Sequence, residues 1–380
     1  MQYNSHNPNY NFAVSPEEFS MHSDIELLKY CLGATLYMPG TKDITMKVIR
    51  KELSEVHSIV MCMEDAIQVE DLANAEKNIL NHLNRVSEAI SNNEISVNDI
   101  PLTFVRVRSL NQFESFSRQL NQKNTLALSG FVFPKFYSNN AEAYLERLEE
   151  LRNALSPYLY GMPILEGKSI AYQETRTGEL QRLKSILMRH QKAILNIRVG
   201  GTDFSALFGV RRGINYSIYD ILSVKDCLTD ILNFFNRASD GFLVSGPVWE
   251  YFLAYKDDDI RKLNGDIHRS ILNRQPILNE AMDGLLREVI LDKANGFVGK
   301  TIIHPSHARF VNALQSVTQE EYDDAMQILN TSGGVIKSQR SNKMNEINPH
   351  KSWAKKIITR ARAFGVVESD QAYLDLLSNY

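Results

Sequence analysis

The sequence predicts an α/β chain closed into a barrel, on three observations: eight short apolar runs, longer helical patterns between them, and runs that are nearly continuous in apolar residues rather than alternating. The runs are TLYM at 35, SIVMCME at 58, PLTFVRV at 101, GFVFPKF at 130, YLYGMPILEG at 158, AILNIRVGG at 193, GFLVSGPV at 241 and GKTIIHP at 299. A strand covered by helices outside and packed inside a barrel needs apolar residues on both faces, and eight such strands close the ring. An open doubly wound sheet is the alternative, but no GxGxxG follows the first run. The expected fold is therefore a (β/α)8, or TIM, barrel.

The remaining elements follow in order. Ser15, Pro16 and Glu18 form a capping signal with proline at the first helical position, so a helix is expected ahead of the barrel. Residues 143–155 place Tyr144, Leu145, Leu148, Leu151 and Leu155 on one helical face, a stripe that should cover the sheet. The segment 167–192 has the length and pattern of a crossover helix, which sets the strand ends before and after it on one side of a parallel sheet. The stretch from Trp249 to about Gly265, aromatic and then charged, is too long for an ordinary connection and reads as a lid or an insertion. Thr318 with Glu321 repeats the capping signal before EEYDDAMQIL, and the polar stretch from Thr331 to His350 reads as a loop leading to a last helix at 350–364. The expected organisation is an extension over 1–30, the barrel over 31–316 and a helical segment over 317–380.

Composition narrows the function classes. The chain has 380 residues, 43% hydrophobic and 23% charged, with a formal charge of -3, which gives no general attraction to nucleic acid or to an anionic membrane. No stretch approaches the ~18 apolar residues needed to cross a bilayer, and MQYNSHNPNYNF has neither a basic nor an apolar leader region. A soluble, cytoplasmic protein with a small-molecule partner is expected. Cys31, Cys62 and Cys227 are odd in number and widely spaced, so reduced thiols are expected, with Cys62 packed in an apolar run.

Glu166 in PILEG and Asp203 in VGGTDF end consecutive strands, where two carboxylates can share one hard cation at a barrel mouth. The bland alternative is that Glu166 pairs with a basic residue and Asp203 caps the helix that follows. Glu64 and Asp65 end the second strand, and as neighbours they must point in different directions. Arg106, near the end of the third strand, offers a planar pair of donors suited to a carboxylate; a buried ion pair with Glu64 or Asp65 is the alternative. Arg108 lies two residues on. Arg211 and Arg212 suit an anion or a solvated loop, and Trp249, Glu250 and Tyr251 suit a cover or plain packing.

LYMPG followed by KDITMKVI, IVMCMEDAI, FVRVR, FVFPKF, PILEG, GGTDFSALFG and GKTIIHPSHARFVNAL, in that order over about residues 35–330, resemble the citrate lyase beta-subunit-like family. That family belongs to the HpcH/HpaI aldolase superfamily and includes malyl-CoA lyases. GGTDFSALFGVRRG and SGPVWEYF are most similar to a divergent branch of carbon–carbon bond lyases encoded in tellurite-resistance gene clusters. The resemblance implies Mg²⁺ held by Glu166 and Asp203, and Arg106 gripping a substrate carboxylate or enolate oxygen. It also implies a site wall including Glu64, Asp65, Arg108, Lys135, Gly201, Thr202, His304 and Pro305, with Lys135 as electrostatic support and His304 shaping the pocket only. NKMNE places Glu346 near a catalytic acid that relatives carry on a C-terminal segment reaching into a neighbouring subunit, which implies a homo-oligomer, trimeric or hexameric. The implied activity is Mg²⁺-dependent cleavage or formation of a carbon–carbon bond in a 2-keto acid or a hydroxyacyl thioester, CoA included. A CoA-independent class II pyruvate aldolase, or a non-catalytic member binding a metabolite, are the alternatives.

Overall fold

The computed structural model describes residues 1–5, 10–254, 277–338, 343–369 and 372–377. Seven parallel strands, β1 (Ala34–Pro39), β2 (Ser58–Cys62), β3 (Leu102–Arg106), β4 (Gly130–Phe133), β5 (Tyr160–Leu165), β6 (Arg198–Val199) and β7 (Lys300–Ile302), form one sheet in the order β6-β5-β4-β3-β2-β1-β7. The run at 241 forms no continuous strand, yet backbone bonds cross it on both sides. Ser245 N donates to Ile197 O at 3.0 Å, and Val298 N donates to Val244 O at 2.9 Å. Bridges Ile197 to Val244 and Gly246 to Lys300 make it the missing stave, and the pairing of β1 with β7 completes the ring.

Side-chain alternation divides the core in two. Val60, Leu102, Phe104, Val132, Met162 and Ile164 point inward and pack with one another. Ile59, Met61, Val105, Phe131, Phe133 and Leu165 point outward against the helices. The helix Ala141–Ala154 buries Tyr144, Leu145, Leu148 and Leu151, the expected stripe, and the crossover after β5 contains the helix Gln173–Arg189.

The segment before β1 corrects one expectation. No helix starts at Pro16; residues 15–20 form neither helix nor strand, and the first helix among the described residues is Ile25–Leu28, capped by Asp24. Tertiary pairing overrides the local signal: Ala13 N donates to Val366 O at 3.0 Å and Glu17 N to Arg362 O at 2.7 Å. Tyr3, Phe19, Met21, Leu27 and Leu28 join the inner cluster at the level of Leu102 and Tyr160, the first residues of β3 and β5. The N-terminal segment therefore plugs the barrel floor, with Tyr3 packed at 4.5 Å against the Phe364 ring.

After the barrel, Thr318 and Glu321 make the expected reciprocal cap at the start of the helix Gln319–Asn330. That helix and Ile347–Phe364 enclose a third cluster around Ala325, Ile328, Ala354 and Ile357. β8 (Val317–Thr318) pairs with β11 (Val366–Val367) beneath them. The polar stretch expected to be a loop instead contains a hairpin of β9 (Val335–Lys337) and β10 (Met344–Glu346). Of the Trp249–Gly265 stretch, residues 255–265 lie outside the described residues. Within it Trp249 is buried, with the Arg212 guanidinium 4.7 Å from its ring, a packing role.

Candidate active site

Residues two apart on a strand point to the same side, so the inward face of Phe104 and Ile164 continues to Arg106 and Glu166, and that of Val60 continues through Cys62 to Glu64. The strand ends thus deliver one cation and two acids to the barrel mouth. Asp203 arrives from the first turn of the helix Gly201–Leu207, immediately after β6. They border a cleft of about 500 Å³ lined by Tyr37, Cys62, Asp65, Arg106, Glu166, Arg198, Gly201, Thr202, Asp203 and Thr301, among others. A larger cavity, about 800 Å³, opens between the barrel floor and the C-terminal helices, away from these strand ends.

Gly200 brings the two acids together. A Cβ on it would lie 2.7 Å from Glu166 Oε2 and 3.0 Å from Asp203 Oδ2, so those oxygens are separated by less than twice the larger distance. Burial pushes the Glu166 carboxyl up, to about 8, against the pull of Arg106 and with the Asp203 charge adding to the rise. Asp203 is likewise raised by burial and by the Asp65 charge, while Arg106, Lys135 and a hydrogen bond with Glu166 oppose the shift. Two carboxylates this close need a proton or a cation between them.

Arg106 faces them. Its Nη2 lies 2.7 Å from Glu64, 3.2 Å from Asp65 and 3.6 Å from Glu166, and its Nε has no partner. Burial works against its charge, but the carboxylates, Glu166 foremost, outweigh that and keep it protonated. Lys135 stands behind the acids in a left-handed backbone conformation, φ 47°, which aims its N–H at Glu166 Oε1 at 2.7 Å. Its ammonium is paired with Glu64, and the hydrogen bond to that carboxylate, against the effect of burial, raises its pKa. A protonated amine of this kind is no nucleophile. Burial raises the Glu64 carboxyl, whereas Asp65 is lowered, burial being outweighed by its hydrogen bond with Glu64 and the charges of Arg106 and Lys135. Asp65 is therefore the ionised, half-exposed member of the group.

Other expected residues stand elsewhere. Arg108 is not among the residues lining the cleft; its guanidinium turns back to the Met63 carbonyl at 3.3 Å. Thr202 borders the cleft and donates to Glu250 at 2.9 Å. His304 caps the short turn Pro305–His307 by accepting from Ser306 N, and its ring stacks at 4.8 Å on Phe252. Glu346 is exposed at the end of β10, beside the C-terminal helices; it is not among the residues lining the cleft of this chain. Arg212 is neither solvated nor open to an anion, being buried and paired with Glu288 and Glu250. Arg198, unremarked in the sequence, lies on the cleft floor; its signal was a single charge inside an apolar run.

The donors fit magnesium. Among the described residues, no three His, Cys, Asp or Glu side chains converge as a complete cage. Magnesium needs only one or two carboxylates beside waters and substrate oxygens, and the space over Gly200, where a Cβ would collide with both oxygens, supplies two.

Residues 26–366 match the model of a family described as carbon–carbon bond lyases of the TIM-barrel fold. Among solved structures, the chain is similar to CitE from Mycobacterium tuberculosis in complex with magnesium, acetoacetate and coenzyme A, at 15% identity and a TM-score of 0.49 over 88% of this chain and 99% of that one. It is also similar to the citrate lyase beta subunit complexed with oxaloacetate and magnesium from M. tuberculosis, at 17% identity and a TM-score of 0.42 over 75% and 96% of the two chains. RipC from Yersinia pestis follows at 13% identity and a TM-score of 0.45 over 75% and 95%. No curated protein matches.

Proposed function

Because this chain belongs to the carbon–carbon bond lyase family of the TIM-barrel fold, we propose that it is a metal-dependent lyase or aldolase acting on a 2-keto acid or a hydroxyacyl thioester. The observation that carries this reading is the pair of carboxylate oxygens gathered over Gly200 beside the buried Arg106. Glu166 and Asp203 would hold the cation, Mg²⁺ by donor chemistry. When bound there, it supplies Lewis acidity toward a carbonyl oxygen.

The residues of the chain do the rest. As the carbon–carbon bond of a β-hydroxy acid breaks, its electrons pass to the adjacent carbonyl and form an enolate, while the hydroxyl loses its proton and becomes the new carbonyl. Arg106, protonated and held by three acids, presents its planar donors to the developing oxyanion, a preorganised interaction worth on the order of 3 kcal/mol. Asp65, ionised and reachable from the cleft, takes the hydroxyl proton. Lys135 and Arg106 hold Glu64 fixed between them. Glu346 would act here only from a neighbouring copy of the chain, as part of a homo-oligomer.

The test is exchange of the methyl protons of pyruvate, or of the acyl α-protons of acetyl-CoA, in D2O with Mg²⁺. The expected result is exchange that stops with EDTA and in Asp203→Asn. No exchange with either compound would overturn the reading.

A further inference from the structure

Arg198 is 1% exposed, and no carboxylate partners it among the described residues. Its Nη2 donates to Thr301 Oγ1 at 2.7 Å, its Nη1 to Thr35 Oγ1 at 3.4 Å, and the guanidinium lies 5.3 Å from the centre of the Tyr37 ring. Its Nε has no acceptor at all. Two neutral hydroxyls and a ring face do not neutralise a buried cation, and of its five N–H donors at least one remains unsatisfied. Arg106, Arg212 and Lys300 line or surround the same barrel, are also buried, and each is matched by acids. Arg360, beneath the barrel, is also buried with no ion pair among the described residues, so what sets Arg198 apart is its place on the cleft floor.

The position of Arg198 says where that charge comes from. It begins β6, two residues before Gly200, and it borders the same cleft as Glu166 and Asp203. We propose that Arg198, with Thr35 and Thr301, seats a second anionic group of the substrate. The preferred substrate is then a dicarboxylic 2-keto acid, or the aldol product that contains one, lying with its keto acid end at Glu166 and Asp203 and its distal carboxylate on the floor of the cleft. This inference rests on the lyase reading and adds to it the class of acid selected.

The experiment is isothermal titration of the full chain, with Mg²⁺, using pyruvate, oxaloacetate and 2-oxoglutarate. The wild type is expected to bind at least one dicarboxylic acid about tenfold or more tightly than pyruvate. Arg198→Met should remove that preference while leaving pyruvate affinity unchanged, and Arg198→Lys should keep part of it. Thermal unfolding without ligand is expected to be no lower in Arg198→Met, because the variant removes an uncompensated buried charge. A preference that survives Arg198→Met, or a variant that melts far lower with ligand selectivity intact, would overturn the inference and leave the lyase reading standing. A wild type that binds none of the three acids would bring down both.

Discussion

The side chain of Glu166 occupies the space that a side chain on Gly200 would need: its Oε2 lies 2.7 Å from the position of a Gly200 Cβ, with Asp203 Oδ2 at 3.0 Å. The backbone of Gly200 is at φ -94°, open to any residue, so glycine is required there by crowding alone. Gly200→Ala is expected to weaken Mg²⁺ binding by about tenfold or more, near 1.4 kcal/mol, with the circular dichroism spectrum unchanged. Titration calorimetry with Mg²⁺ measures this, and wild-type affinity in the variant would remove the cradle from the site.

Arg106 separates charge from shape. Arg106→Lys keeps one cation near Glu64, Asp65 and Glu166 but loses the planar fork, and kcat/KM is expected to fall on the order of 100-fold with stability little changed. Arg106→Met leaves the buried Glu64 and Glu166 without their shared cation and is expected to lower stability by about 3 kcal/mol. Steady-state kinetics and denaturant melts of the pair distinguish the two contributions.

A buried ion cluster supports the wall opposite. Lys300 Nζ lies 2.8 Å from Glu288 and 2.8 Å from Asp292, all three fully buried between β7 and the helix Glu280–Ala294. Lys300→Met would leave Glu288 with Arg212 and Asp292 with only the Tyr219 hydroxyl, and a loss of about 3 to 5 kcal/mol is expected in urea unfolding. A near-neutral result would mean that the acids protonate freely in place.

His82 gives a pH signature remote from the cleft. Burial lowers its pKa from 6.5 to about 4, so the folded chain holds it neutral, with Nδ1 3.1 Å from Thr45 Oγ1. The unfolded chain takes up the proton first as the pH drops. Its contribution is therefore fully present above pH 6.5 and is lost as the pH falls toward 4, by roughly 3 kcal/mol. Relative to His82→Gln, the wild type should lose that much stability between pH 7.5 and pH 4, measured by denaturant melts at each pH. Parallel pH curves for the two proteins would show that His82 is not the group involved.

The barrel was legible because strands buried on both faces leave long apolar runs, and even the broken stave at 242–246 carries one. Glu166 and Asp203 were legible as acids following such runs, and the structure brings them together. Arg108 was expected at the site wall, but the Met63 and Glu64 carbonyls hold its guanidinium, a contact that residue type does not reveal. Ser15 and Pro16 misled because a cap signal weighs about a kilocalorie, less than pairing with residues 362–366. Arg198 escaped notice because nothing in a linear reading distinguishes a charge turned inward from one at a solvated edge. The strain at Lys135, which points a backbone donor at Glu166, leaves no mark on residue type at all.

The plug beneath the barrel joins regions 345 residues apart along the chain. Tyr3 packs against Phe364, and Glu17 holds Arg362 at 2.7 Å, so sealing the floor waits for the closing helix. A nascent chain with all its staves but without that helix is an unstoppered tube whose inner apolar wall meets water from below. Deleting the helix is thus equivalent to uncorking the vessel that holds the reaction, however distant it lies from the mouth.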